Sequence, residues 1–144
     1  MIEQDTVKLL RECDAGVKMG ISSIDDVLDR VESRTFLQLL QDCKREHEKL
    51  RGEIDERLSL CRDDGKEPSA VAKGMSRMKT GMKLMVEESD QTVADLITDG
   101  CNMGVKSLNR YLNQYKAADE VSKDIAKRLI NLEEKLAVDI RGYL

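Results

Sequence analysis

The sequence predicts an all-α fold, an up-down bundle of four long helices with one additional helix crossing between the pairs. Three observations point there. Apolar residues recur at steps of three and four along most of the chain. The composition is poor in the aromatic and turn residues that strands and hairpins need, with one Pro, no Trp, one Phe and three Tyr. The turn-forming residues also gather at a few points that leave segments of matched length between them. At 144 residues, one domain over the whole chain is expected, 1–144, with a single core.

In the first segment the stripe is Leu10, Cys13, Val17, Ile21, Ile24, Leu28 and Val31. It runs without a phase slip through Gly16 and Gly20, which predicts one helix over about 3–31 although each interior glycine costs about 1 kcal/mol. Close approach of a neighbouring helix is a reason for glycine there. The other reading is a break at about 14–20, with Ser22 capping a fresh start and Asp25 at N3. The second stripe is Phe36, Leu40, Cys43, His47, Leu50, Ile54, Leu58 and Cys61, with Ser33 as N-cap, for a helix over about 34–62. RDDGKEPS then holds the only proline and ends it.

Ser69 can cap a methionine-bearing segment over about 69–88. ESD at 88–90 marks the next boundary, with Ser89 or Asp90 as the cap. The stripe continues in phase beyond it through Val93, Ile97, Gly100 or Cys101, Gly104, Leu108, Tyr111 and Tyr115. A single helix from 69 to 117 would be about 70 Å long, too long for this domain, so a separate helix over about 90–117 is expected. Asp119 opens the last one, about 119–143, with Val121, Ile125, Leu129, Leu132, Leu136 and Ile140 inward. Four helices of about 40 Å follow, and the short connections within each pair force antiparallel neighbours. The 62–90 stretch must then return along the bundle, a trip the 69–88 helix fits as a crossover.

Charged residues make up 36% and the AVILMFWYC set 40%, with 28 acids, 24 bases and a formal charge of −4. The signs are interspersed, and no basic face with interleaved aromatics suggests a nucleic-acid partner. No apolar run nears the ~20 residues a bilayer span needs, so no membrane role is expected. MIEQDTVKLL has an acid where a signal peptide carries bases, and it lacks an apolar h-region. A cytoplasmic location is the expectation. Cysteines at 13, 43, 61 and 101 form no C-x-x-C pair, which excludes zinc-ribbon and thioredoxin-like patterns. In a reducing compartment they read as small buried hydrophobes, and Cys13 and Cys61 lie at levels other than that of Cys43, so no disulfide within the first hairpin is expected.

The stretches LRECDAGVKMGISSIDDVL, LQDCKREHEKL, GMSRMKTGMKL, CNMGVKSLNRYL and IAKRLINLEEKLAVDIRGYL together resemble a bacterial family of uncharacterised ferritin-like four-helix proteins. The resemblance implies a ferritin-like bundle and association through a helix face into a homodimer or larger homo-oligomer. Di-iron proteins of that class need a Glu from each of two helices and a Glu-x-x-His from each of the other two. Here the residue three before His47 is Lys44, the third helix offers Val105, and Glu133 or Glu134 is followed at three by Leu136 or Ala137. With one histidine in the chain, two such motifs cannot be built, and ferroxidase, peroxidase or oxygenase chemistry at a two-iron centre is not expected.

Met75, Met78, Met82 and Met85 make a helical stripe flanked by Lys73, Arg77, Lys79 and Lys83. That spacing reads first as a covering helix, next as an exposed face for an unknown protein partner, and last as a thioether copper site. His47 follows Cys43 by one helical turn. If the third helix starts at the same end as the second, Cys101 and Glu133 lie at a comparable depth. The four could then converge as a thiolate–imidazole–carboxylate set suited to zinc or iron. A satisfied core histidine is the other reading. The one histidine would have to serve any catalytic dyad, and the glycines form no phosphate-cradling loop. The acid pairs Asp25–Asp26, Asp63–Asp64 and Glu133–Glu134 read as caps, turns and polar faces. The expected role is therefore non-enzymatic, without a cofactor: an interaction, scaffold or assembly protein. The alternative is a small metal-binding or redox-sensing protein built on the Cys/His cluster.

Overall fold

A computed structural model describes residues 3–68 and 89–144. Among them lie four long helices and no strand: α1 (Gln4–Asp25), α2 (Arg34–Leu60), α3 (Asp90–Gln114) and α4 (Glu120–Asp139). Short 3-10 turns follow α1 at Leu28–Arg30 and α4 at Arg141–Tyr143. The expected crossover helix over 69–88, with its stripe of Met75, Met78, Met82 and Met85, lies outside the described residues.

The caps are those the sequence marks. The Ser33, Ser89 and Asp119 side chains accept from the backbone N–H groups of Phe36, Thr92 and Ser122, each satisfying an orphan donor of a first turn. α1 passes unbroken through Gly16 and Gly20, as its stripe predicts, but it stops at Asp25 rather than near 31. Its last turn carries no basic residue, and Asp25, Asp26 and Asp29 cluster where the helix dipole is negative. The chain tightens into a 3-10 turn that still buries Val27, with Leu28 and Val31 packed alongside. Inward phase survives there although the α-helix does not. α2 ends in a Schellman arrangement, with Asp63 N donating to Leu58 O, Arg62 N to Ser59 O, and Arg62 at φ 55°.

Each short turn is tied to a distant helix, and these ties fix the topology. Asp90 at the start of α3 accepts from Glu32 N (2.8 Å) and Ser33 N (2.9 Å), so α3 begins beside the α1–α2 turn. Asp5 and Thr6, at the start of α1, accept from Ala117 N (3.0 Å) and Asp119 N (2.8 Å) in the α3–α4 turn. α1 packs on α2 and α3, and α4 packs on α3 and α2, each pair running antiparallel. α1 and α4 also meet across the middle, while α2 and α3 occupy the wider diagonal. The connection from α2 to α3 therefore joins opposite ends of the bundle.

The interior is two apolar halves separated by a polar layer. One half holds Leu9, Leu10, Val17, Ile54, Ile125 and Leu129. The other holds Ile24, Phe36, Leu40, Val93, Ile97 and Ile140, with Tyr143 stacked on Phe36 at a centroid distance of 4.5 Å. Burying such side chains contributes about 1.5–3 kcal/mol each before entropy is subtracted. Val121, expected inward, is 40% exposed; its neighbour Ser122 takes the buried place. At the waist between the halves stand His47 and Glu133, both buried.

Candidate functional site

Four helices meet at this waist, and each supplies one residue to it. α2 supplies His47, α4 Glu133, α1 Gly20 and α3 Gly104. A Cβ at Gly20 would lie 2.7 Å from the His47 ring, and one at Gly104 would overlap the Glu133 carboxylate. Both glycines therefore face large polar side chains, not an apolar neighbour. Close approach was the reason the sequence suggested for Gly16 and Gly20. At Gly16 the nearest atom, Leu129 Cδ2 at 3.7 Å, is in ordinary contact, so the requirement falls on Gly20.

His47 is 1% exposed and Glu133 7%. The His47 Nδ1–H donates to the Cys43 carbonyl one turn earlier, at 2.8 Å, with the Cys43 thiol 3.5 Å from the same nitrogen. That bond fixes the ring: in its neutral form the proton sits on Nδ1 and the lone pair on Nε2. Nε2 points toward Glu133, its closest carboxylate oxygen lying 3.7 Å away, beyond hydrogen-bonding reach. It is fully buried and has no hydrogen-bond partner.

Electrostatics follow from this geometry. Burial by itself would lower the His47 value, but the Cys43 and Glu133 side chains outweigh it and push the imidazole up to about 10. Burial raises the Glu133 carboxyl above its ordinary range, and His47 opposes that rise. The Cys101 thiol is pushed well up, first by burial and then by the nearby charges of Glu133 and Cys43. A thiol held protonated is a poor nucleophile and a poor metal ligand.

Cys43, His47, Cys101 and Glu133, which the sequence places at a comparable depth, are all buried, His47 and Glu133 at the waist and Cys43 and Cys101 in the apolar half beside it. The reading of Glu133 within a polar-face acid pair is corrected. Only Glu134 is on the exposed side, whereas Glu133 points inward because it falls one turn from both Leu129 and Leu136 on the α4 stripe. Among the described residues no group of three or more His, Cys, Asp or Glu side chains is arranged to hold a metal ion. The layer has one carboxylate and one imidazole, with glycine on the other two helices. This donor set does not fit a two-iron carboxylate centre. On α3 it is Gly104, not Val105, that faces the centre; Val105 packs half-buried against the first apolar half.

The sequence reading missed a second buried acid, Asp14, 1% exposed. Its Oδ2 accepts from Lys66 N (2.8 Å) and Lys18 Nζ (2.9 Å), fastening the segment after α2 to α1. Asp63 on Arg11 (3.1 Å) and Lys66 on Glu12 (2.5 Å) extend the same seam. The signal was present: Asp14 lies next to Cys13 and one turn before Val17 and Lys18, on the edge of the apolar stripe. A shallow surface depression on the α2–α4 face is bridged by the paired bonds of Arg128 to Glu53, at 2.8 and 3.0 Å. It presents charge and no reactive group. No helix among the described residues is long and apolar enough to cross a membrane. Comparison with protein-family models, with curated proteins and with solved structures gave no match.

Proposed function

We propose that the chain is a ferritin-like bundle that works without catalysis, as an interaction or assembly protein that forms a homodimer or larger homo-oligomer through a helix face. One observation carries this reading. The cluster with acid–base and thiol chemistry, Cys43, His47, Cys101 and Glu133, is closed off from solvent, while a catalytic group must touch its substrate. What the chain offers to other molecules is the outer surface of its helices. The topology supports the ferritin-like assignment, since a long connection joins opposite ends of two antiparallel pairs. Four free cysteines support a reducing, cytoplasmic setting. Sedimentation over a wide concentration range tests the role: mass should rise with concentration toward a dimer or beyond. A monomer at every concentration overturns the assembly role.

A second reading is a small protein that binds one transition-metal ion at the same cluster. The unpartnered Nε2 of His47 beside the Glu133 carboxylate favours it. Chain purified without a histidine tag under anaerobic conditions should then carry stoichiometric zinc or iron; substoichiometric amounts of both overturn this reading.

A further inference from the structure

We infer that the chain pairs with a second copy of itself through the outer face of α2, the two α2 helices crossing antiparallel at Gly52. This pairing rests on the assembly role proposed above and gives that role a face. Gly52 lies mid-helix in ordinary helical backbone, and a Cβ there would meet nothing within 4 Å. Glycine weakens a helix interior, and no contact within one chain requires it at this place, in contrast to Gly20, Gly65 and Gly104. What it offers is a bare stretch of backbone on which another helix can lie close.

Gly52 stands at the middle of an exposed ridge, Arg45, Lys49, Gly52, Glu56 and Leu60, spaced by steps of three and four on the side of α2 opposite the buried His47 and Ile54. The bases precede the glycine and the acid follows it. A two-fold axis between residues 52 and 53, with the helices antiparallel, brings Lys49 of each copy opposite Glu56 of the other. The same register sets Arg45 against Leu60 of the second copy, 65% exposed in the single chain, whose apolar surface the arginine stem can cover. A parallel pairing would set Arg45, Lys49 and Glu56 each against its own charge.

In the single chain Lys49 pairs with Glu46 at 3.0 Å and Arg45 with Asp42, each one turn away and exposed. Such pairs are weak in water and exchange readily for others. The other helices lack this arrangement. From Leu9 to Ile24 no residue of α1 is exposed. Gly100 of α3 is as open as Gly52, but Leu96 and Ile97 one turn before it are half-buried and buried, so no exposed ridge passes through it. α4 has no glycine.

Sedimentation equilibrium of the full chain and its variants is the test, with circular dichroism to show that each variant keeps its helix content. Lys49→Glu and Glu56→Lys each set like charges opposite one another twice per dimer, so each should weaken the dimer about tenfold or more. The double variant Lys49→Glu/Glu56→Lys restores both pairs with their signs exchanged and should recover most of the native affinity. Gly52→Ala should weaken the dimer, and Gly100→Ala should leave it unchanged. A native dimer that no α2 change weakens overturns this face and leaves the assembly role standing, as does one weakened only by Lys127→Glu on exposed α4 surface. Single reversals that both weaken the dimer without recovery in the double variant overturn the antiparallel register. A native monomer at every concentration overturns the role and the face together.

Discussion

Gly104 of α3 leaves vacant the space that the Glu133 carboxylate of α4 fills. Across the same layer Gly20 of α1 does so for the His47 ring of α2, where a Cβ would stand 2.7 Å away. Glycine is thus the complement of a polar side chain on the neighbouring helix, and its helix-weakening effect of about 1 kcal/mol is offset by the fit. Gly104→Ala should lower stability by about 1–3 kcal/mol through overpacking against a buried carboxylate. Gly100→Ala, on the same helix with nothing within 4 Å, should be neutral or stabilise by up to about 1 kcal/mol. Urea denaturation of the two variants side by side checks this, and equal effects would show that Glu133 has another place to go.

The Asp14–Gly65 contact predicts a separate lesion at the end of α2. Gly65 has φ 88°, a left-handed backbone that suits glycine, and a Cβ there would run into the Asp14 carboxylate. Gly65→Ala should therefore be destabilising twice over, by about 1–3 kcal/mol. Asp14→Ala removes the acceptor for the Lys66 backbone N–H and should cost about 1–3 kcal/mol. The ion pair of Lys18 with exposed Glu67 should be worth less, so Glu67→Ala should change stability by under about 1 kcal/mol. Thermal melts of the three variants, followed by circular dichroism, rank them.

Most of this fold was legible in the chain because its signals are local. Three N-caps and four stripes fix where helices start and which way they face, and Ser33, Ser89 and Asp119 cap as read. Helix ends were less legible. Asp25 terminates α1 although Leu28 and Val31 keep the phase, because a 3-10 turn can bury the same side that an α-turn would. Counting residues along antiparallel rods puts Cys43, His47, Cys101 and Glu133 at a comparable depth; His47 and Glu133 face each other at the waist, and Cys43 and Cys101 lie in the apolar half beside it. Rotation about each helix axis did not follow from counting. The apolar stripe did mark Gly104 as inward, whereas matching α3 to the di-iron ligand pattern put Val105 in that place, and Glu133 was grouped with a surface acid. Asp14 shows the remaining gap: its partner is the backbone of Lys66, 52 residues away, and no periodicity marks a side chain that bonds to a distant loop.

The cysteines should divide by exposure. Burial, with Glu12 and Asp14 adding to it, pushes the Cys13 thiol up to about 12, and Cys101 is raised in the same sense by burial and Glu133. Cys61 is half-buried and raised by burial and the nearby Asp119 and Asp63. Because attack requires the thiolate and access, Cys61 should react first with an aromatic disulfide reagent near neutral pH. Cys13 and Cys101 should react only at the rate of unfolding. Mass mapping of labelled peptides over time checks the order, and early labelling of Cys101 would bring back redox sensing as a role.

Asp90 predicts a lesion that separates helix capping from tertiary anchoring. At the first residue of α3 its two oxygens accept from Glu32 N and Ser33 N, closing the α1–α2 turn onto a helix from the other half of the chain. Ser89 meanwhile caps α3 locally by accepting from Thr92 N at 3.1 Å. Ser89→Ala should therefore cost about 1 kcal/mol, the usual value for a lost cap. Asp90→Ala breaks two charge-assisted bonds across the bundle and also removes a favourable charge from a helix start, so a loss of about 1.5–3 kcal/mol is expected. The two losses should add within about 0.5 kcal/mol in the double variant if the contacts are independent. Amide hydrogen exchange gives the finer test: Asp90→Ala should speed exchange at Glu32 and Ser33, and Ser89→Ala at Thr92. If Ser89→Ala also releases the Glu32 amide, the cap and the anchor are one cooperative unit.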